Sequence, residues 1–157
     1  MPVPCKISID GGTPQSITAA ATVILQGTNS AAKPVRLKRI QLQSNNTGST
    51  QQVVTLSLGY YATGTAAGST PVAVPVDEGL TGVYTPATVF KAITTTLGTT
   101  FTNKITWQWN TANPFDIVDG LQELQDEFPA AKVWALILPT APTAFNLTGT
   151  VNFEEFG

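Results

Sequence analysis

The chain is 157 residues long and carries a formal charge of −2; only 11% of its residues are charged, and it has one cysteine and no histidine. The absence of histidine removes the usual general base near neutral pH and most zinc, copper and iron sites. A charge near zero gives no overall attraction to nucleic acid or to an anionic membrane. We therefore expect a structural or binding protein, not an enzyme, with no cofactor, metal, nucleic-acid, membrane or small-molecule partner.

Short runs of alternating apolar and polar residues, separated by Gly, Pro and Asn, recur along the whole chain. This alternation puts every second side chain on one face of an extended strand, so it predicts an all-β protein. Predicted strands lie near residues 4–9, 17–26, 35–43, 52–61, 88–97, 103–109, 132–138 and 146–155. About eight strands in one domain, spanning 1–157, suit an antiparallel two-sheet β-sandwich or jelly roll.

The N-terminal strand contains the one cysteine, Cys5, which has no partner for an intrachain disulfide. The fold therefore needs no oxidising compartment, and we expect Cys5 to be a small buried hydrophobic residue. The sequence shows no N-terminal signal segment and no apolar run of the roughly 18 residues that a membrane helix needs. These features predict a soluble protein made in the cytosol.

Two later strands carry patterns that predict their local geometry. Within residues 35–42 the apolar residues change from odd to even positions. A β-bulge near Lys38 and Arg39 is the simplest cause of such a change. Residues 132–138 are apolar on both faces, which is typical of a central strand or an interface strand.

Two segments depart from the strand pattern. Residues 62–88 are rich in Gly, Pro and Thr, and we predict a long surface excursion there. Loops of this length in a compact domain are usually functional or stabilised by a partner. Residues 119–128 are the helix candidate, because apolar residues recur there at helical spacing between a capping aspartate and a proline.

The charges are polarised along the chain although their sum is small. Four of the eight positive charges lie within residues 33–39, whereas acidic residues are concentrated within residues 116–127. The four, called the basic strip below, are Lys33, Arg36, Lys38 and Arg39. The strip could meet an acidic segment of a neighbouring copy or an acidic lattice, or it could protect an edge strand from aggregation. It has no interleaved aromatic residues, which argues against nucleic-acid binding.

Carboxylates occur in pairs but not in a catalytic pattern. Neighbours on a strand point to opposite faces, so pairs such as Glu154 and Glu155 cannot flank one bond, and we interpret them as solvated acidic surface. The acidic residues at 116, 119, 123 and 126 lack the spacing of a calcium-binding loop. The sequence therefore predicts no catalytic residue and no metal site.

Tryptophans offer the remaining candidate site. Trp107 and Trp109 share one face of a strand, and Trp134 lies on another strand. Exposed tryptophans can stack on sugar rings, whereas buried ones fill a core or a subunit interface. Ile105 lies on the same face as the first pair and favours burial.

The C-terminal third of the chain, residues 104–157, carries three short motifs. They are Trp-Gln-Trp-Asn at 107–110, Asn-Pro-Phe at 113–115 and the closing run Val-Asn-Phe-Glu-Glu-Phe-Gly at 151–157. This part resembles small β-rich virion structural proteins of tailed bacteriophages. The resemblance implies a capsid decoration (cement) protein on the outside of an icosahedral head, commonly a homotrimer, made in the host cytoplasm.

The resemblance implies that the partners are the major capsid protein and other copies of the chain. We expect the contacts to involve the basic strip, the N-terminal strand and the excursion, where Asp77, Glu78 and Tyr84 are candidate contact residues. The alternative is a carbohydrate- or receptor-binding β-sandwich of a phage tail, with the tryptophans as its stacking platform.

Overall fold

The computed structural model describes residues 1–10, 13–44, 51–118 and 127–157. These ranges contain twelve β-strands, a 3₁₀ turn at Glu78–Leu80 and no α-helix. The strands are Val3–Ser8 (β1), Gln15–Ile17 (β2), Thr22–Thr28 (β3), Val35–Ser44 (β4), Val53–Thr63 (β5), Val74–Pro75 (β6), Val89–Thr94 (β7), Thr99–Asn110 (β8), Phe115–Val118 (β9), Glu127–Phe128 (β10), Val133–Leu138 (β11) and Phe145–Glu155 (β12). Within them, no helix has the length and apolar character needed to cross a membrane.

The strands form two antiparallel sheets that pack face to face. Sheet A has seven strands in the order β10-β4-β12-β1-β6, with β9 also paired to β4 and β2 also paired to β12. Sheet B has five strands in the order β7-β3-β11-β5-β8. The predicted all-β, two-sheet antiparallel sandwich is confirmed.

Strand β12 shows why the chain folds this way. Its side chains alternate, so Leu147, Val151 and Phe153 are buried between the sheets while the intervening polar residues face outward. The Phe153 ring packs against Phe90 of β7, with ring centroids 5.3 Å apart, and so joins the two sheets. Alternation thus places one apolar face of each sheet in a shared core.

Strand β11 is the central strand of sheet B, as its apolar sequence predicts. Its inward residue Trp134 is fully buried. Its outward residues are covered too, because Ala135 and Ile137 join a second apolar cluster with Val23 and Tyr61 on the far face of the sheet. Burial on both faces explains why polar residues are missing from this strand.

The predicted β-bulge is confirmed in β4. Opposite it, β12 pairs Asn152 with Arg39 and Phe153 with Leu37, so Lys38 is the additional residue. The bulge lets the neighbouring residues Lys38 and Arg39 both reach acidic side chains, on the two strands that flank β4. A bulge re-aims side chains in this way wherever two residues oppose one.

Several predicted elements need correction. The strand expected at 17–26 is two strands in different sheets, β2 in A and β3 in B. The short strands β6, β9 and β10 were not predicted. The helix expected at 119–128 lies outside the described residues except for its last two, which form β10 because Phe128 pairs with Val35 and stacks on Trp134.

Candidate functional site

The seven predicted contact residues lie in three places. Lys33 and Tyr84 meet at the end of β12, Arg36, Lys38 and Arg39 lie on β4, and Asp77 and Glu78 open the 3₁₀ turn.

The first place is built around Glu155, the last residue of β12, whose side chain is fully buried. Its carboxylate accepts hydrogen bonds from the Tyr84 hydroxyl, from the Ala87 N–H at 2.9 Å and from the Thr88 N–H at 2.8 Å. The Thr88 hydroxyl donates a further bond of 2.7 Å. These donors all belong to the end of the excursion, so Glu155 fastens that segment to the sandwich. We call this group the Glu155 clamp.

Lys33 adds a positive charge to the clamp. Its ammonium nitrogen lies 3.8 Å from a Glu155 oxygen, donates a hydrogen bond of 3.3 Å to the Tyr84 hydroxyl and lies 4.9 Å from the Tyr84 ring centroid. Two of the predicted contact residues therefore do come together. They surround a buried carboxylate of their own chain.

The protonation states of the clamp follow from its geometry. Burial alone would raise the pKa of Glu155, but the hydrogen bonds from Tyr84, Ala87 and Thr88 outweigh it and lower the pKa from the ordinary value of 4.5. Burial, together with the hydrogen bond to Glu155, raises the pKa of Tyr84. At neutral pH the carboxylate is thus ionised and the phenol remains a donor.

The expectation that Glu155 forms solvated acidic surface is wrong. Glu154 and Glu155 do point to opposite faces, but the face of Glu155 is the interior. The signal is present in the sequence, because residues 147, 151, 153 and 155 are in phase along β12. A carboxylate in the inward phase of an apolar strand should have indicated a buried acceptor and a search for its donors.

The excursion is held at other points as well. The Val76 N–H donates to the Pro4 carbonyl at 2.9 Å, and Ser69 exchanges two backbone hydrogen bonds of 3.0 Å with Ala92 of β7. The Asp77 carboxylate caps the 3₁₀ turn by accepting from the Gly79 N–H at 2.9 Å. Hydrogen bonds within the chain therefore hold this long segment at several points.

The second place is the outer face of sheet A, where the basic strip finds acidic partners. Arg39 forms a bidentate ion pair with Asp116 of β9, with distances of 2.9 and 2.6 Å. Lys38 lies 3.9 Å from a Glu154 oxygen. Hydrogen bonding by Arg39 lowers the pKa of Asp116.

The position of β4 overturns one interpretation of the strip. Strand β4 pairs with β12 on one side and with β9 and β10 on the other, so it is not a protected edge strand. Asp116, one of the calcium candidates, is bound to Arg39; residues 119, 123 and 126 lie outside the described part of the chain. In the ranges that the structure describes, no group of three acidic, cysteine or histidine side chains is placed to hold a metal ion.

Polar side chains continue across this face. Ser8, Thr150, Gln41 and Asp116 are direct neighbours on four successive strands. With Gln43 and Thr148, among others, they line a shallow groove of about 300 Å³. The outer face of sheet A thus combines hydroxyl and amide groups with ion pairs that are already formed.

The tryptophans lie mostly inside. Trp134 is fully buried and Trp109 is 3% exposed; the Trp109 indole N–H donates to the Asn113 carbonyl at 2.7 Å. Trp107 is half-buried and packs edge-on against Phe115, with ring centroids 5.5 Å apart. The prediction of a core position is confirmed for Trp109 and Trp134.

Cys5 is fully buried, as predicted. Burial, reinforced by the charge of Glu155, raises the pKa of its thiol to about 11. We expect no reaction of the native protein with a disulfide reagent such as DTNB at pH 8, and one thiol released per chain after unfolding in urea. Rapid labelling of the native protein would contradict this burial.

Comparison of the chain with protein-family models, with curated proteins and with solved structures finds no match.

Proposed function

We propose that the chain is a bacteriophage virion structural protein, a capsid decoration (cement) protein that bridges major capsid protein subunits on the outside of the head. The motifs of the C-terminal third support this proposal through their resemblance to small phage virion proteins. The architecture also suits it, because a sandwich with a polar outer face and a fastened excursion offers broad surfaces for protein contact.

The burial of the tryptophans favours protein contact over glycan contact. Trp109 and Trp134 are buried in the core and Trp107 is half-buried against Phe115. A sugar-stacking platform needs an exposed aromatic face, which Trp109 and Trp134 cannot supply. The largely polar outer face of sheet A is the more suitable surface, and it resembles the polar part of a non-obligate protein interface.

The proposed mechanism is additive burial without chemistry. Each copy gains modest affinity from an interface of about 1,000 Å² or more, and contact with several capsid subunits strengthens attachment by avidity. Because Lys38 and Arg39 are already paired with acidic residues, the strip contributes orientation more than net attraction. The host would make the protein in its cytoplasm before assembly.

The test is co-sedimentation of the purified protein with heads of the phage that encodes it, assembled without this chain. We expect saturable binding and a higher temperature of head disruption. Replacing Arg36, Lys38 and Arg39 with alanine should weaken binding by about tenfold, or about 1.4 kcal/mol, and reduce its salt dependence.

The matched control replaces Lys91, Lys104 and Lys132 with alanine, which removes the same positive charge from other strands and a turn. It should bind heads like the unmodified protein. Equal weakening in both variants would remove the strip from the contact surface. Failure to bind heads, combined with glycan binding that shifts tryptophan fluorescence, would replace this proposal with the carbohydrate-binding alternative.

A further inference from the structure

Exposed apolar residues are concentrated in one segment. Nine large apolar residues are exposed in the described part of the chain, and five of them are valines between residues 72 and 89. They are Val72, Val74, Val76, Val83 and Val89. Isolated exposed valines are ordinary, but a concentration of them marks an interaction surface.

Three of these valines form a row along one edge of sheet A. Val72, Val74 and Val76 are 77%, 40% and 48% exposed, whereas the intervening Ala73 and Pro75 are buried. This is the alternation of a strand with one face turned outward. We call the row the valine ridge.

The valine ridge is held in place before any partner arrives. Val74 pairs with Lys6 of β1, and the Val76 N–H is bonded to Pro4. The Asp77 cap and the Glu155 clamp fasten the chain that follows. A preformed surface loses little conformational entropy on binding, which favours association.

The edge of the sheet at the ridge lacks one of the donors that strand addition would use. The N–H of Val76 points toward β1, so that of residue 75 would point away from the sheet. Residue 75 is proline and has no N–H to offer. The missing donor disfavours extension of the hydrogen-bond ladder at this edge, and the exposed valine side chains are the surface that a partner would contact.

Two unpaired charges of opposite sign flank the ridge. Lys6 is exposed beside Val74, and Glu78 is exposed two residues beyond Val76. Neither forms an ion pair within the described ranges, unlike Lys38 and Arg39 of the basic strip. The surface carries both signs around an apolar centre, so it is complementary to itself.

We propose that the valine ridge is an interface between two copies of this chain, related by a two-fold axis near Val76. Val74 and Glu78 lie two residues on either side of Val76. Lys6 lies beside Val74 on one side of this axis, and Glu78 opens the 3₁₀ turn on its other side. The two-fold arrangement therefore brings Glu78 of the partner subunit toward the end of the ridge that carries Lys6. The valines exclude water at the centre, and the charges fix the register.

Self-association is measured without phage heads, so its outcome is independent of head binding. Light scattering after size exclusion, over a concentration series, should give twice the chain mass of 16.5 kDa. Val74→Asp should raise the dissociation constant at least about tenfold. The matched control is Val118→Asp, because Val118 is 45% exposed near the opposite edge of the same sheet. This variant should remain a dimer.

Charge exchange tests the register. Lys6→Glu should weaken the dimer by about tenfold, because it places two negative charges near each other. Combining Lys6→Glu with Glu78→Lys should restore the dimer, because the opposite charges are exchanged. Both positions are exposed, so we expect the fold to stay intact. Three results would overturn the proposal. They are a monomer at all concentrations, the trimer that the resemblance implies, and a dimer that neither Val74→Asp nor Lys6→Glu weakens.

Discussion

Replacement of Glu155 by alanine is expected to lower the free energy of unfolding by about 3–5 kcal/mol, the range for breaking a buried, hydrogen-bonded charged group. The substitution leaves the hydroxyl of Tyr84 and the donors of Ala87 and Thr88 without an acceptor. It also removes the counter-charge of Lys33. The end of the excursion should then detach from β12, and amide exchange at residues 84–88 should accelerate.

Urea unfolding at pH 7 measures this loss. Glu155→Gln keeps one oxygen acceptor, so it should cost less, about 1–3 kcal/mol. Glu154→Gln is the matched control, because Glu154 is the partly exposed neighbour in a 3.9 Å ion pair; it should cost at most about 1 kcal/mol. Equal losses at positions 154 and 155 would contradict the clamp.

The clamp also predicts a pH dependence. Hydrogen bonds to Glu155 outweigh its burial and hold its pKa below 4.5. A carboxyl with a depressed pKa stabilises the fold only while it is ionised. Its contribution is therefore complete above about pH 4.5 and is lost as the pH falls through the lower pKa of the folded state. The stability difference between the wild type and Glu155→Gln should shrink in that acidic range.

Replacement of Trp134 by alanine is expected to cost a similar amount, about 3–5 kcal/mol. The Trp134 indole stacks on Phe128, meets Phe90 edge-on and lies so close to Gly27 that a Cβ there would overlap it. Its N–H donates to the Asn29 side chain at 3.1 Å. The substitution opens a cavity at the contact between the sheets and leaves the Asn29 acceptor unpaired.

The same denaturation measurement with Trp107→Ala provides the control. Trp107 is half-buried on the edge strand β8, so its removal should cost less, about 1–2 kcal/mol. A loss at position 107 as large as that at 134 would mean that the edge, and not the centre of the sandwich, limits stability.

Local pattern was sufficient for most of the fold. Alternation located the long strands, the change of phase at residues 35–42 located the bulge, and the doubly apolar run identified β11 as central. The passage of the chain from sheet A to sheet B within residues 17–26 is not predicted, because the apolar residues of β2 and β3 form one continuous pattern in the sequence. Strands of two to four residues, such as β6 and β10, are defined by their partners and carry too little pattern of their own.

The contacts at the candidate site were beyond local pattern for another reason. The strip on β4 was recognised from its charge, but Asp116 lies 77 residues away from Arg39 in sequence. The acceptor at 155 is likewise 67 residues from Thr88. Such pairings depend on the strand order, which the sequence does not state. Of the clamp, the sequence indicates only that Glu155 lies on the inward face of its strand.

The position of β12 in sheet A has a consequence for synthesis. It pairs with β1, β2 and β4, and all three of these strands are translated before it. Until β12 is made, the two-residue β6 is the one strand among the described residues with which β1 can pair, and residues 84–88 lack the Glu155 carboxylate that they bind in the folded protein. Sheet A and the seating of the excursion must therefore be completed after translation of residue 155, whereas sheet B, complete at Leu138, can form first.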